Sequence, residues 1–238
     1  MLVLAVDSAT PTQGVALFYD NRLIKEEFTN IKKTHSETLM LVIDRVLNEC
    51  SYKVDDLDAI AISIGPGSFT GLRIGLATVK GLCQGANISL IGIPTLDAMA
   101  ENVYSDNALI CPLLNARKQE VYTAIYTSDS YRKNKITDYI AVSPEKLCEI
   151  IQNQLHNYNK DKVIFLGDGY EPYKEVFQQK LDKKVMCAPL HMMYPRASSM
   201  GAIAIDKYNK QEFDDPFAIR PLYLRLSEAE NRLGRGAL

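Results

Sequence analysis

The chain runs through the same series of elements twice, and this repetition limits it to a duplicated α/β architecture. Residues 2–6, Leu-Val-Leu-Ala-Val, form an unbroken apolar run closed by Asp7, as a strand covered on both faces requires. A polar turn over residues 8–12 leads into strand-like runs at 14–19 and 22–28, joined as a hairpin at Asp20-Asn21. A helix is expected from Thr34, which has capping-box spacing to Glu37, to about Cys50. Residues 59–64 form the next buried strand and run into Gly65-Pro66-Gly67-Ser68-Phe69-Thr70, with a second helix beginning near Gly71. A strand over 89–93 follows, and then a short helix capped by Thr95.

The series restarts with strands at 109–114, 121–126 and 136–142, a helix opened by Ser143-Pro144, a strand at 162–166, the loop Gly167-Asp168-Gly169 and a further helix. Each half therefore reads strand, strand, strand, helix, strand, glycine loop, helix. The expectation is one lobe over residues 1–104 and a second over 105–238. The competing reading is two unrelated α/β segments.

At 238 residues, with 47% hydrophobic and 24% charged residues, the chain can bury a core without staples. Cys50, Cys83, Cys111, Cys148 and Cys187 are scattered and form no C-x-x-C pair, so they read as reduced thiols. A net charge of -2 supplies no broad cationic field, so any contact with RNA is expected to depend on a partner. The N-terminus lacks the pattern of a secretory leader, and no apolar run approaches the roughly 18 residues of a membrane span. A cytoplasmic location is the expectation.

Candidate chemistry is sparse. Asp7, followed by Ser8 and Thr10, stands at the carboxyl end of the first strand, where α/β sheets place ligands; a hydrogen-bonded tight turn is the equal alternative. Gly67 and Ser68 precede a helix whose free amides could contact phosphate. The loop lacks a Walker ending, and Pro66 and Thr70 replace the glycines of a nucleophile elbow. Ser68 or Thr70 as a plain helix cap is the simpler role. His35, His156 and His191 make no metal-binding pair, so neither a catalytic residue nor a metal is expected. Lys32-Lys33 and Arg220, Arg225, Arg232 and Arg235 read as solvated clusters, with phosphate contact by the tail arginines as the alternative.

Two helices carry more apolar or small surface than one lobe needs. The first adds Met40, Leu41 and Val42 to its stripe of Leu39, Ile43, Val46, Leu47 and Cys50. The second has Gly71 and Gly75 on one ridge and Ala77, Gly81 and Gly85 on another. Helix-interior glycine costs about 1 kcal/mol relative to alanine, so another element should approach closely, from within the chain or outside it.

Asp7-Ser8-Ala9-Thr10 with Val15-Ala16-Leu17, His35-Ser36-Glu37, and Gly65-Pro66-Gly67-Ser68-Phe69-Thr70-Gly71-Leu72-Arg73-Ile74-Gly75 resemble the TsaB (YeaZ) family. The likeness continues through Ile93-Pro94-Thr95-Leu96-Asp97, Ala116-Arg117, Glu120-Val121-Tyr122, Gly167-Asp168-Gly169 and Pro221-Leu222-Tyr223-Leu224-Arg225. The resemblance implies an actin-like ATPase (ASKHA) fold of two similar lobes. It also implies a non-catalytic subunit of the bacterial machinery that makes threonylcarbamoyladenosine beside the tRNA anticodon.

Partners implied are the catalytic paralogue TsaD, the ATPase TsaE and a second copy of the chain, with tRNA reached only through the complex and ATP or ADP at a subunit interface. TsaD-type proteins carry an H-x-x-x-H helix motif, where this chain has only His35. The family's pairing surface is built from the two N-terminal helices, which carries over to His35, Met40, Ile43, Leu47, Phe69, Gly71, Arg73, Ile74 and Gly75. Asn115 departs from the aspartate of many relatives. The rival is a self-sufficient actin-fold ATPase or kinase using Asp7 and the glycine loops.

Overall fold

A computed structural model describes residues 1–31, 34–129 and 132–225. Lys32, Lys33, Arg232 and Arg235 of the expected basic clusters lie outside the described residues. The first sheet contains β1 (Leu2–Asp7), β2 (Gln13–Tyr19), β3 (Arg22–Thr29), β4 (Ala59–Gly65) and β5 (Ser89–Pro94), in the order β3-β2-β1-β4-β5. The first three strands are antiparallel, and β1, β4 and β5 are parallel. Parallel pairing needs crossovers, supplied by α1 (His35–Glu49) and α2 (Phe69–Ala86); α3 (Thr95–Ala100) follows β5.

The second sheet repeats this plan. β6 (Ala108–Asn115), β7 (Val121–Thr123), β10 (Ile140–Val142), β11 (Lys162–Leu166) and β12 (Val185–Cys187) lie in the order β10-β7-β6-β11-β12. Pairing is again antiparallel among the first three and parallel through β6, β11 and β12. The crossovers are α4 (Pro144–Asn157) and α5 (Lys174–Leu181). Matching order and orientation make this the duplicated unit of the actin-like ATPase fold. The expected strands 121–126 and 136–142 are broken, because a hairpin of β8 (Tyr126–Asp129) and β9 (Arg132–Lys135) is inserted between β7 and β10.

The described residues divide into two compact units, those within 1–102 together with 191–221, and those within 103–190 together with 222–225. The expected division at 104/105 therefore needs correction for residues 191–221, which return to the first unit. α6 (Ala197–Asn209) packs on the face of the first sheet that carries Val3, Ala5, Ala16 and Phe18. Small residues allow the contact: a Cβ on Gly201 would lie 2.1 Å from the Phe18 ring, and one on Gly14 3.1 Å from the Ala197 Cβ. Glu26 of β3 anchors the start of α6, accepting from Ser198 N–H and Oγ, both at 3.0 Å, and from Arg196 at 2.7 Å. Beyond α6, Asp214 bridges to Leu90 and accepts from Gly92 N–H at 2.7 Å, which covers the edge of β5.

Helix starts follow local chemistry in part. Ser68 and Ser143 cap α2 and α4 by accepting from Gly71 N–H and Lys146 N–H, both at 3.3 Å. Thr34 occupies the N-cap of α1 but makes no side-chain cap bond, so the expected capping box is absent; the Thr38 hydroxyl donates to the Thr34 carbonyl instead. Pro94, rather than Thr95, is the N-cap of α3. Among the described residues, no helix is long and apolar enough to cross a membrane.

Candidate functional site

The site is the β1–β2 turn where it meets α1 and α2. Asp7 is 2% exposed; its Oδ1 accepts from Ala9 N–H at 3.4 Å, and its Oδ2 has no hydrogen-bond partner among the described residues. Burial pushes its carboxyl above the usual carboxylate range, partly offset by hydrogen bonds from Ser63 and Ala9 and by His35. The Ser8 hydroxyl donates to the Gly71 carbonyl at 3.0 Å, and Ser68 N–H donates to the Ala9 carbonyl at 2.7 Å.

Glycines make this contact sterically feasible. A Cβ on Gly67 would lie 2.2 Å from the Ala9 carbonyl oxygen, one on Gly71 2.2 Å from that of Ser8, and one on Gly75 2.1 Å from Ser8 Oγ. Gly71 and Gly75 are thus fitted to the chain's own turn, and the first ridge of α2 is internal. Among the described residues, nothing beyond the helix's own backbone and the adjoining residues comes within 4 Å of a Cβ built on Gly81 or Gly85. Ala77, Gly81 and Gly85 form an exposed strip of small residues.

His35 ties the same turn to α1. Its Nε2 lies 2.8 Å from the Thr10 carbonyl, and its Nδ1 lies 3.3 Å from Gln13 Oε1, to which the Thr38 hydroxyl also bonds at 2.7 Å. Thr10 and Thr12 hydroxyls bond each other at 2.7 Å. Gln13 and Thr38 help organise the turn although no sequence motif singled them out, because their partners lie far along the chain.

The nine residues expected to meet a partner fall into two groups. Ile43 and Leu47 are 0% and 3% exposed and belong to the first lobe's core, and Gly71 and Gly75 face Ser8. The structure removes these four from a contact surface, because the inner stripe of α1 and the first ridge of α2 are already covered. His35 is half-buried in the turn network. Met40 is 47% exposed, Arg73 is exposed over the half-buried Phe69 ring at 6.0 Å, and Ile74 is half-buried.

In the second lobe, Asn115 Oδ1 accepts from Arg117 N–H at 2.9 Å, and Asn115 N–H donates to Asp168 at 3.0 Å. A carboxylate could make the first of these bonds equally well, so the departure at Asn115 leaves that turn contact intact. Arg225 pairs with Glu120 and donates to the Ala116 carbonyl at 3.1 Å. His156 is exposed on the last turn of α4. Among the described residues, no three His, Cys, Asp or Glu side chains are grouped as metal ligands.

The family model TsaD, described as tRNA N6-adenosine threonylcarbamoyltransferase, matches residues 23–233. The chain is 31% identical to the tRNA threonylcarbamoyladenosine biosynthesis protein TsaB of Bacillus subtilis over 231 residues, 97% of this chain and 96% of that one. The chain belongs to the TsaB family. TsaB of Escherichia coli is 27% identical over 98% of both chains. YeaZ from Pseudomonas aeruginosa superposes with a TM-score of 0.79 at 21% identity, covering 94% of this chain and 99% of that one, and shows the same fold. TsaB membership identifies the chain as a tRNA threonylcarbamoyladenosine biosynthesis protein.

Proposed function

We infer that this TsaB-family chain is a non-catalytic subunit that binds and supports the TsaD paralogue. The carrying observation is Met40: α1 buries a complete stripe of Leu39, Val42, Ile43, Val46 and Leu47, yet Met40 remains 47% exposed. Apolar anchors and an arginine are the usual energetic centre of protein interfaces, and Met40, Phe69, Arg73 and Ile74 supply both types. The exposed small strip at Ala77, Gly81 and Gly85 would let a partner helix approach closely.

The β1–β2 turn supports the non-catalytic assignment. Ser8 and Ala9 carbonyl oxygens stand against Gly71 and Gly67, so acceptors occupy the approach that a phosphate would need lined with donors. Nucleotide used by the complex, and contact with TsaE, are assigned to surfaces formed with partners.

Gel filtration of Met40→Asp with the cognate TsaD, checked by circular dichroism, tests the assignment: pairing is expected to be lost with the fold retained. Reconstitution of tRNA modification should stop when this chain is omitted. Intact pairing of Met40→Asp would overturn the interface. A second reading, an actin-fold ATPase, draws on Asp7 Oδ2, which is buried and unpartnered among the described residues. Calorimetry with ATP and magnesium on the isolated chain separates the two; tight magnesium-dependent binding would favour the ATPase.

A further inference from the structure

A second surface lies between α1 and β3. There, α1 and the end of β3 enclose a cleft of about 240 Å³, floored by Gln13 and walled by Glu27, Thr29, Ile31, Leu41 and Arg45. This is room for side chains rather than a single water. Leu41 is 63% exposed and Ile31 55%, so both rims of the cleft are apolar. Arg45 and Glu27 bond across it at 2.7 Å, leaving no uncompensated charge at that wall.

Two independent features specify what could fill it. β3 is the outermost strand of its sheet, with β2 as its one strand neighbour among the described residues. An edge strand turns unpaired N–H and C=O groups outward, a template for another strand. Gln13 is only 5% exposed, and one end of its side-chain amide is engaged by His35 and Thr38. No hydrogen bond to that amide beyond those of His35 and Thr38 is present among the described residues, and Gln13 lines the cleft. A peptide backbone offers both an N–H and a C=O, and so satisfies either orientation of the amide.

Alternation along β3 completes the match. Lys25 and Glu27 reach α1, contacting Glu49 and Arg45, whereas Glu26 and Phe28 meet Arg196 on the other face. A strand added beside β3 would direct every second side chain toward the cleft and its apolar rims.

We propose that the cleft between β3 and α1 binds an extended segment of another polypeptide, which adds to the free edge of β3 and places an aliphatic side chain between Ile31 and Leu41. The binding mode is strand addition, with backbone bonds supplying affinity and the cleft selecting the side chain.

The test uses the full chain and a fluorescein-labelled, end-capped heptapeptide of alternating leucine and threonine, read by anisotropy. A second probe carries N-methyl groups on alternate amides. Saturable binding is expected, weakened at least about tenfold by N-methylation and at least about tenfold by Leu41→Asp. Hydrogen exchange of residues 22–29 should slow when the first peptide saturates the chain. Leu41 is exposed, so circular dichroism of the variant should match that of the parent. Absence of saturable binding up to roughly 1 mM peptide, or binding indifferent to N-methylation, would overturn the proposal.

Discussion

Gly71 of α2 lies directly against the carbonyl of Ser8, where a Cβ would sit 2.2 Å from the oxygen. That backbone carbonyl cannot rotate away as a side chain could. Gly71→Ala is therefore expected to destabilise by about 1–3 kcal/mol, the usual cost of overpacking. Gly81→Ala and Gly85→Ala, which meet open space, should each stabilise by up to about 1 kcal/mol through helix propensity. Urea unfolding of the three variants checks both signs; a neutral Gly71→Ala would contradict the close contact.

Asp7 gives a pH signature of defined sign. Burial raises its folded-state pKa above the unfolded value, so the native state holds the proton more tightly. Its contribution to stability is present at low pH and declines as pH rises through the unfolded and then the folded pKa. Asp7→Asn is expected to melt higher than the parent at pH 7–8, with the gap closing toward about pH 4. Thermal melts across that range are the measurement, and a variant less stable at pH 8 than at pH 4 relative to the parent would reverse the assignment.

Glu26 fastens α6 to the first sheet. Its carboxylate is 11% exposed and holds Arg196 and both the backbone and hydroxyl of Ser198. Glu26→Ala should cost about 2–3 kcal/mol, because three hydrogen bonds to a charged, poorly solvated acceptor are lost together. Exchange protection across residues 197–209 should fall by more than protection in α4.

Thiol reactivity should sort by burial. Burial pushes the Cys83 and Cys111 thiols up to about 12 and the Cys148 thiol to about 11, so all three stay protonated at neutral pH. Cys187 is exposed and Cys50 half-buried. In Ellman titration of the native chain, Cys187 should react first, with Cys83, Cys111 and Cys148 reacting only on unfolding.

Strand order was readable wherever a short apolar run met a turn residue. Residues 162–166 match β11 end to end, and the hairpin at Asp20-Asn21 joins β2 and β3 as expected. The second lobe was harder, because β8 and β9 interrupt the repeat with polar residues such as Asn134 and Lys135 that carry no strand periodicity. In α1 the excess of apolar residues was legible, but their direction was not. Ile43 and Leu47 turn inward, while Met40 and Leu41 remain outside. A helical stripe gives relative angles among side chains, and only the packed sheet fixes which angle is inward.

The amino-acid sequence alone determined the repeated unit, the buried strands, the Ser143 cap and the TsaB-like motifs, since each depends on spacing within a few residues. Tertiary structure alone decided that Gly67, Gly71 and Gly75 serve the Ser8-Ala9 turn while Gly81 and Gly85 stay open. It also returned residues 191–221 to the first unit and gathered Gln13, Ile31 and Leu41 around one cleft. Close approach between distant segments depends on which faces the whole core leaves accessible, and no local pattern encodes that.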